Sequence, residues 1–138
     1  RLVREVMKIT IDTNVLVRAA VQDDEKQASM AVKILQEATL VAVPLPVLCE
    51  FVWVLRRGYQ KSIVDISYAI QQLIKTRNVT MNIPAVEAGL AVHDAGGDFA
   101  DGVIAFEGNW LGAQEFISFD EKAVSILKKH GKAARLLK

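Results

Sequence analysis

Cysteine is nearly missing from this chain: Cys49 is the only one in 138 residues. A single thiol excludes an internal disulfide and fits the cytoplasm. Histidine is scarce as well, and His93 and His130 stand too far apart for any zinc-site spacing. Long hydrophobic runs are absent. Glu50 and two prolines interrupt the longest candidate, so no run reaches the roughly 18 residues of a membrane span. The N-terminal RLVREVMKIT carries charge but no apolar signal-peptide core, and nothing in it points to export. Net charge is only +1, which neither demands nor excludes a polyanionic partner. Repeats, low-complexity tracts and linkers are also lacking. What is present is 51% apolar and 24% charged. That composition describes one globular domain, large enough to bury an ordinary core.

Short apolar runs alternate with longer helical patterns, the signature of a parallel sheet flanked by helices. The runs predict strands at Lys8–Ile11, Leu40–Val43, Val79–Asn82, Glu115–Ser118 and Ala134–Leu137. Between the first two, Ala28, Ala31, Val32 and Leu35 recur on one helical face. Pro46 suits the first turn of a helix running to about Arg57, before Gly58. Ile63, Ile66, Ile70, Leu73 and Ile74 form another stripe. Ile83–Pro84 opens a further helix ending near Gly96–Gly97, and Asp98 opens the next. Asp120 opens the last, whose final turn holds Lys128, Lys129 and His130, with Gly131 just past it. The expected class is α/β, a three-layer α/β/α domain with a central, mainly parallel sheet. Its active crevice should lie outside the C-terminal ends of the strands.

Acids fall where the pattern leaves little room for charge. From Leu40 to Leu55 the only charged residue is Glu50, and an ionised carboxylate among apolar neighbours is costly unless it is paired. Asp12 ends the run MKITID, Asp101 lies in DFADGVIAF, and Asp120 ends FISFD. Each has a structural reading too: Asp12 could cap a helix from Thr13, Asp98 and Asp101 could form a capping box, and Asp120 could cap the last helix. Glu50 lies beyond the capping positions, opposite a stripe of Leu48, Phe51, Val52 and Leu55. Two carboxylates about 5 Å apart repel by roughly 3 kcal/mol at an effective dielectric near 20. Three or four together would raise one another's pKa values unless a cation neutralised them. Mg²⁺ or Mn²⁺ prefers such oxygen ligands, and it supports phosphodiester hydrolysis.

The segments MKITIDTNVLVR, VPLPVLCEFVWVLRRGY, GGDFADGVIAF and FISFDEKA occur in that order and span nearly the whole chain. Together they resemble a PIN-domain ribonuclease, specifically the toxin of a VapBC-type toxin–antitoxin pair. The resemblance implies catalytic and metal-binding roles for Asp12, Glu50, Asp101 and Asp120. It implies auxiliary roles for Asp98, Thr13, Asn14 and Ser118. It further implies one or two Mg²⁺ or Mn²⁺ ions, a water nucleophile, and an RNA substrate cut without a covalent intermediate. Partners implied are a homodimer mate and a cognate antitoxin. Arg18, Arg56, Arg57 and Lys61 are candidates for RNA contact, and Phe51, Trp53, Tyr59, Ile63 and Tyr68 offer apolar surface for an interface. The family usually starts at a methionine just before its first strand, as Met7 stands here. Residues 1–6 therefore read as an extension and 7–138 as the PIN-like domain.

Three other classes compete. A haloacid-dehalogenase-type phosphatase needs an aspartate two residues after Asp12, where Asn14 stands. A response-regulator receiver needs a phosphoacceptor aspartate after the third strand, where this chain has Asn82–Ile83–Pro84. A PIN fold kept as an RNA- or protein-binding module without catalysis is the alternative, and the presence of all four acids argues against it.

Overall fold

A computed structural model describes residues 6–138. Of the expected extension at residues 1–6, all but the exposed Val6 lies outside the described residues. The five expected strands form, each one or two residues shorter than its apolar run. The chain divides into two compact units, Arg1–Met81 and Asn82–Lys138.

The first unit holds strands β1 (Lys8–Thr10), β2 (Leu40–Ala42) and β3 (Val79–Thr80) in the order β1-β2-β3. Both ladders are parallel, with Ile9 opposite Val41 and Ala42 opposite Thr80. Parallel neighbours need helical crossovers. Helices α1 (Thr13–Val21) and α2 (Glu25–Glu37) join the first pair, and α3 (Leu45–Trp53) and α4 (Ile63–Lys75) join the second. The expected apolar stripes face inward: Ala28 and Ala31 of α2, and Ile66 and Ile70 of α4, are buried. Helix α3 starts with Pro46 in its first turn and runs as α-helix only to Trp53. The expected continuation to Arg57 widens into a π-helical turn, Val54–Gly58, closed by the Tyr59 N–H donating to the Val54 carbonyl at 3.2 Å.

The second unit holds α5 (Ile83–Asp94), α6 (Phe99–Trp110), β4 (Phe116–Ser118), α7 (Glu121–Lys129) and β5 (Ala134–Leu136). Strands β4 and β5 pair in parallel, Ile117 opposite Arg135. Val92, Val124, Ile126, Leu127 and Ala134 form a buried cluster beneath them. Helices α5 and α6 approach unusually closely, because glycines meet there. A Cβ on Gly102 would stand 2.4 Å from the Ala88 carbonyl oxygen. Gly131 follows α7 with φ of 78°, the left-handed conformation expected after a helix C-terminus. Among the described residues, then, the class is α/β with parallel strands and seven α-helices, consistent with a PIN-like α/β/α fold. No helix among them is long and apolar enough to cross a membrane.

Candidate functional site

In the first unit β1 delivers Asp12 to the C-terminal edge of its sheet. Ile11 is buried and anchors the strand end, while Asp12 is exposed and caps α1, its Oδ1 accepting from the Val15 N–H at 3.2 Å. The capping reading is therefore correct for Asp12. It leaves Oδ2 outside that bond, so a cap and a ligand can be the same residue. Thr13 Oγ1 donates to Glu50 Oε1 at 2.7 Å, tying α1 to α3 across 37 residues of sequence. Such a bond fixes the direction of the acid. Asn14 is exposed in the first turn of α1 and makes no side-chain hydrogen bond among the described residues.

Glu50 corrects one expectation. Leu48, Phe51, Val52 and Leu55 are buried as the helical wheel requires, but Glu50 itself is exposed, beside Trp53 at 62% exposure. The apolar sequence around it packs inward and leaves the carboxylate in solvent. Glu50 thus bears no burial cost, and its interest lies in the Thr13 bond.

In the second unit three acids interact. Asp98 caps α6, its Oδ1 accepting from the Ala100 N–H at 3.0 Å. The return bond of a capping box, the Asp98 N–H donating to the Asp101 carboxylate, does not form among the described residues. Asp101 is half-buried one turn into α6. Partial burial holds its carboxyl above the ordinary value, and the charges of Asp98 and Asp120 push it the same way. Asp120 caps α7 through the Ala123 N–H at 3.1 Å, and its own N–H donates to Ser118 Oγ at 2.9 Å. Ser118 therefore positions the turn that presents Asp120.

The expected site residues divide accordingly: Asp12, Thr13, Asn14 and Glu50 lie in the first unit, and Asp98, Asp101, Ser118 and Asp120 in the second. Among the described residues no group of three or more His, Cys, Asp or Glu is arranged to hold a metal ion. The donor chemistry nonetheless fits a hard divalent cation. Every donor is a carboxylate, and Asp101 bears a repulsion from its neighbours that a cation would relieve. A cleft of about 820 Å³ in the first unit is lined mainly by apolar side chains such as Leu35, Val41 and Leu73, and includes none of these acids.

The expected RNA contacts are mixed. Arg18 Nη1 pairs with Asp23 Oδ1 at 3.1 Å. Asp23 also accepts from Tyr59 Oη at 2.9 Å, and this bond is the main cause that keeps its carboxyl below the ordinary range. No sequence signal links Asp23 to Tyr59, which lie 36 residues apart. Arg57 and Lys61 are exposed, and Arg56 is half-buried. Of the expected interface residues, Phe51 is in the core at 1% exposure, because it lies on the inward stripe of α3, whereas Trp53, Ile63 and Tyr68 are exposed. Phe119 and Lys122, on either side of Asp120, were not among the expected site residues. The available signal was an aromatic placed between Ser118 and Asp120.

Compared with protein-family models, the chain matches that of the PIN domain over residues 9–131. No curated protein matches it.

Proposed function

Since this chain belongs to the PIN-domain family, whose members are typically nucleases, we propose that it is a metal-dependent endoribonuclease and the toxin of a toxin–antitoxin pair. The family match carries the reading, because the matched residues 9–131 include Asp12, Glu50, Asp101 and Asp120, the acids that we assign to the site. We take residues 7–138 as one catalytic domain, acting in the cytoplasm on RNA.

The proposed ligands are Asp12, Glu50, Asp101 and Asp120, with Asp98 auxiliary. A bound Mg²⁺ or Mn²⁺ supplies water activation and neutralises the charge that builds on the phosphoryl group. The protein's own groups orient and tune the donors. Thr13 aims Glu50 through its 2.7 Å bond. Ser118 fixes the turn before Asp120. Partial burial raises the pKa of Asp101, the charges of Asp98 and Asp120 add to the shift, and a bound cation would relieve that repulsion.

The test is cleavage of single-stranded RNA by the purified chain. It should proceed with Mg²⁺ or Mn²⁺, stop in EDTA and resume when the ion is restored. Full activity in EDTA would refute the mechanism. The second reading is a PIN fold kept as an RNA- or protein-binding module without catalysis. RNA binding with no cleavage under any divalent ion would establish that reading.

The partner proposal rests on exposed apolar surface in the first unit: Trp53 at 62%, Val64 at 75% and Tyr68 at 64%. Surface of this kind marks protein interfaces. A homodimer and an antitoxin are its proposed occupants. Light scattering showing only monomer at micromolar concentration would refute the dimer. An upstream small protein that neither binds nor inhibits the chain would refute the antitoxin.

A further inference from the structure

The second unit segregates its charge along the chain. Residues 82–114 carry five acids and no lysine or arginine, whereas residues 115–138 carry six lysines and arginines against three acids. The basic stretch comprises β4, α7 and β5, and so it directly adjoins Asp120. In a chain whose net charge is only +1, this is where a polyanion finds local attraction.

The same stretch presents an open sheet face. Strand alternation puts Glu115, Ile117 and Phe119 on one side of β4, and the parallel register sets Arg135 and Leu137 beside them. Ile117 is 41% exposed, Leu137 37% and Phe119 79%. The backbone around Phe119 is held firmly. The Ser118 carbonyl accepts from the Leu137 N–H at 2.8 Å, Ser118 Oγ accepts from the Asp120 N–H at 2.9 Å, and Asp120 caps α7. An aromatic ring is thus projected into water from a fixed turn, next to a proposed ligand.

Lys122 is the matching cation. It sits in the first turn of α7, where the helix dipole disfavours positive charge, and forms no ion pair among the described residues. Its Nζ lies 3.8 Å from where a Cβ on Gly96 would stand, against the loop that leads to Asp98. A lysine that forms no ion pair among the described residues, two residues after Asp120 and against the loop that leads to Asp98, is well placed to meet a phosphate.

We infer that Phe119 and Lys122 grip one nucleotide beside the acids of the second unit, Phe119 stacking an unpaired base and Lys122 holding a phosphate. This rests on the nuclease reading above and deepens it. The substrate class is single-stranded RNA, because bases inside a duplex offer no free face to a protein ring. The basic composition of the stretch favours nucleic acid over a second copy of the chain as the occupant.

The experiment uses the full chain carrying Asp101→Asn, so that bound RNA stays intact, and a single-stranded oligoribonucleotide containing 2-aminopurine. Phe119→Ala should weaken binding about ten-fold and remove the fluorescence quenching that stacking causes, and Phe119→Trp should restore both. Binding of a duplex of the same sequence should be indifferent to Phe119. Lys122→Ala should lower the slope of log affinity against log salt by about 0.7. Phe119 is exposed, so its variants should fold. Unchanged affinity and quenching in Phe119→Ala would overturn the inference, as would an equal loss on the duplex. So would a dimer-to-monomer shift without loss of RNA binding, which would assign the face to a second copy. If the wild type cuts no RNA but Phe119-dependent stacking persists, the nuclease reading falls and this inference stands.

Discussion

Replacing Gly102 by alanine adds one methyl group where α6 crosses α5, and two effects of opposite sign then compete. Alanine is the better helix former by about 1 kcal/mol, so propensity alone predicts stabilisation. Sterics predict the reverse. The new Cβ would lie 2.4 Å from the Ala88 carbonyl oxygen, 2.8 Å from Gly89 Cα and 2.9 Å from the Ala88 carbonyl carbon. Ordinary contacts begin near 3.4 Å, so α6 must move off α5 by about an ångström. The obstacle is backbone, which no rotamer change can relieve. Phe99 packs over Gly89 in the same seam and is 1% exposed, so the movement also loosens a buried ring. Overpacking costs typically 1–3 kcal/mol, and a backbone obstacle places this case near 3. Net destabilisation is about 2 kcal/mol, or roughly 8 °C in melting temperature for a chain of this size. Gly108 on the same helix is the control. Its nearest neighbour to an added Cβ is 4.0 Å away, so Gly108→Ala should gain up to about 1 kcal/mol. Thermal melting and urea titration of both variants measure the difference. A Gly102→Ala protein that melts at or above the wild type would refute the close-packed seam.

Asp101→Asn tests the acid repulsion through pH. The folded carboxyl titrates above its ordinary 3.8, so its contribution to stability is complete below that value and is lost as pH rises through the raised one. The metal-free variant should therefore be the more stable protein at pH 7, with the advantage vanishing in acid. Equal pH–stability curves for the two proteins would contradict the coupling. Thr13→Val removes the bond to Glu50 and should slow RNA cleavage about ten-fold, as supporting hydrogen bonds do at metal sites. Its melting point should move little, because the bond is exposed and worth about 1 kcal/mol or less; a large stability loss with unchanged cleavage would make Thr13 merely structural.

Local signals made the fold legible in the sequence. Apolar runs of strand length located β1 to β5, and Pro46, Asp98, Asp120 and Gly131 marked helix ends, because these effects act within a few residues. The π-helical turn at Val54–Gly58 was not legible, since a widened turn satisfies the same apolar stripe as a regular one. The acids were visible as charge at element boundaries, but their environments were not. Glu50 read as buried because its neighbours are apolar, and only the orientation of α3 reveals it in solvent. Phe51 read as interface surface for the same reason and belongs to the core. Contacts such as Thr13 with Glu50 and Tyr59 with Asp23 join residues far apart in sequence, and no local pattern encodes them.

If carboxylates of this chain cut RNA with the help of a divalent cation, the reaction must fail when a ligand loses its charge. The most direct measurement compares wild type with Asp12→Asn and Asp101→Asn on one single-stranded RNA in Mg²⁺ or Mn²⁺, after melting curves show that all three are folded. The wild type should cleave and neither variant should, since each substitution removes the charge of a proposed ligand without changing side-chain size. Cleavage by either variant at the wild-type rate would contradict that mechanism.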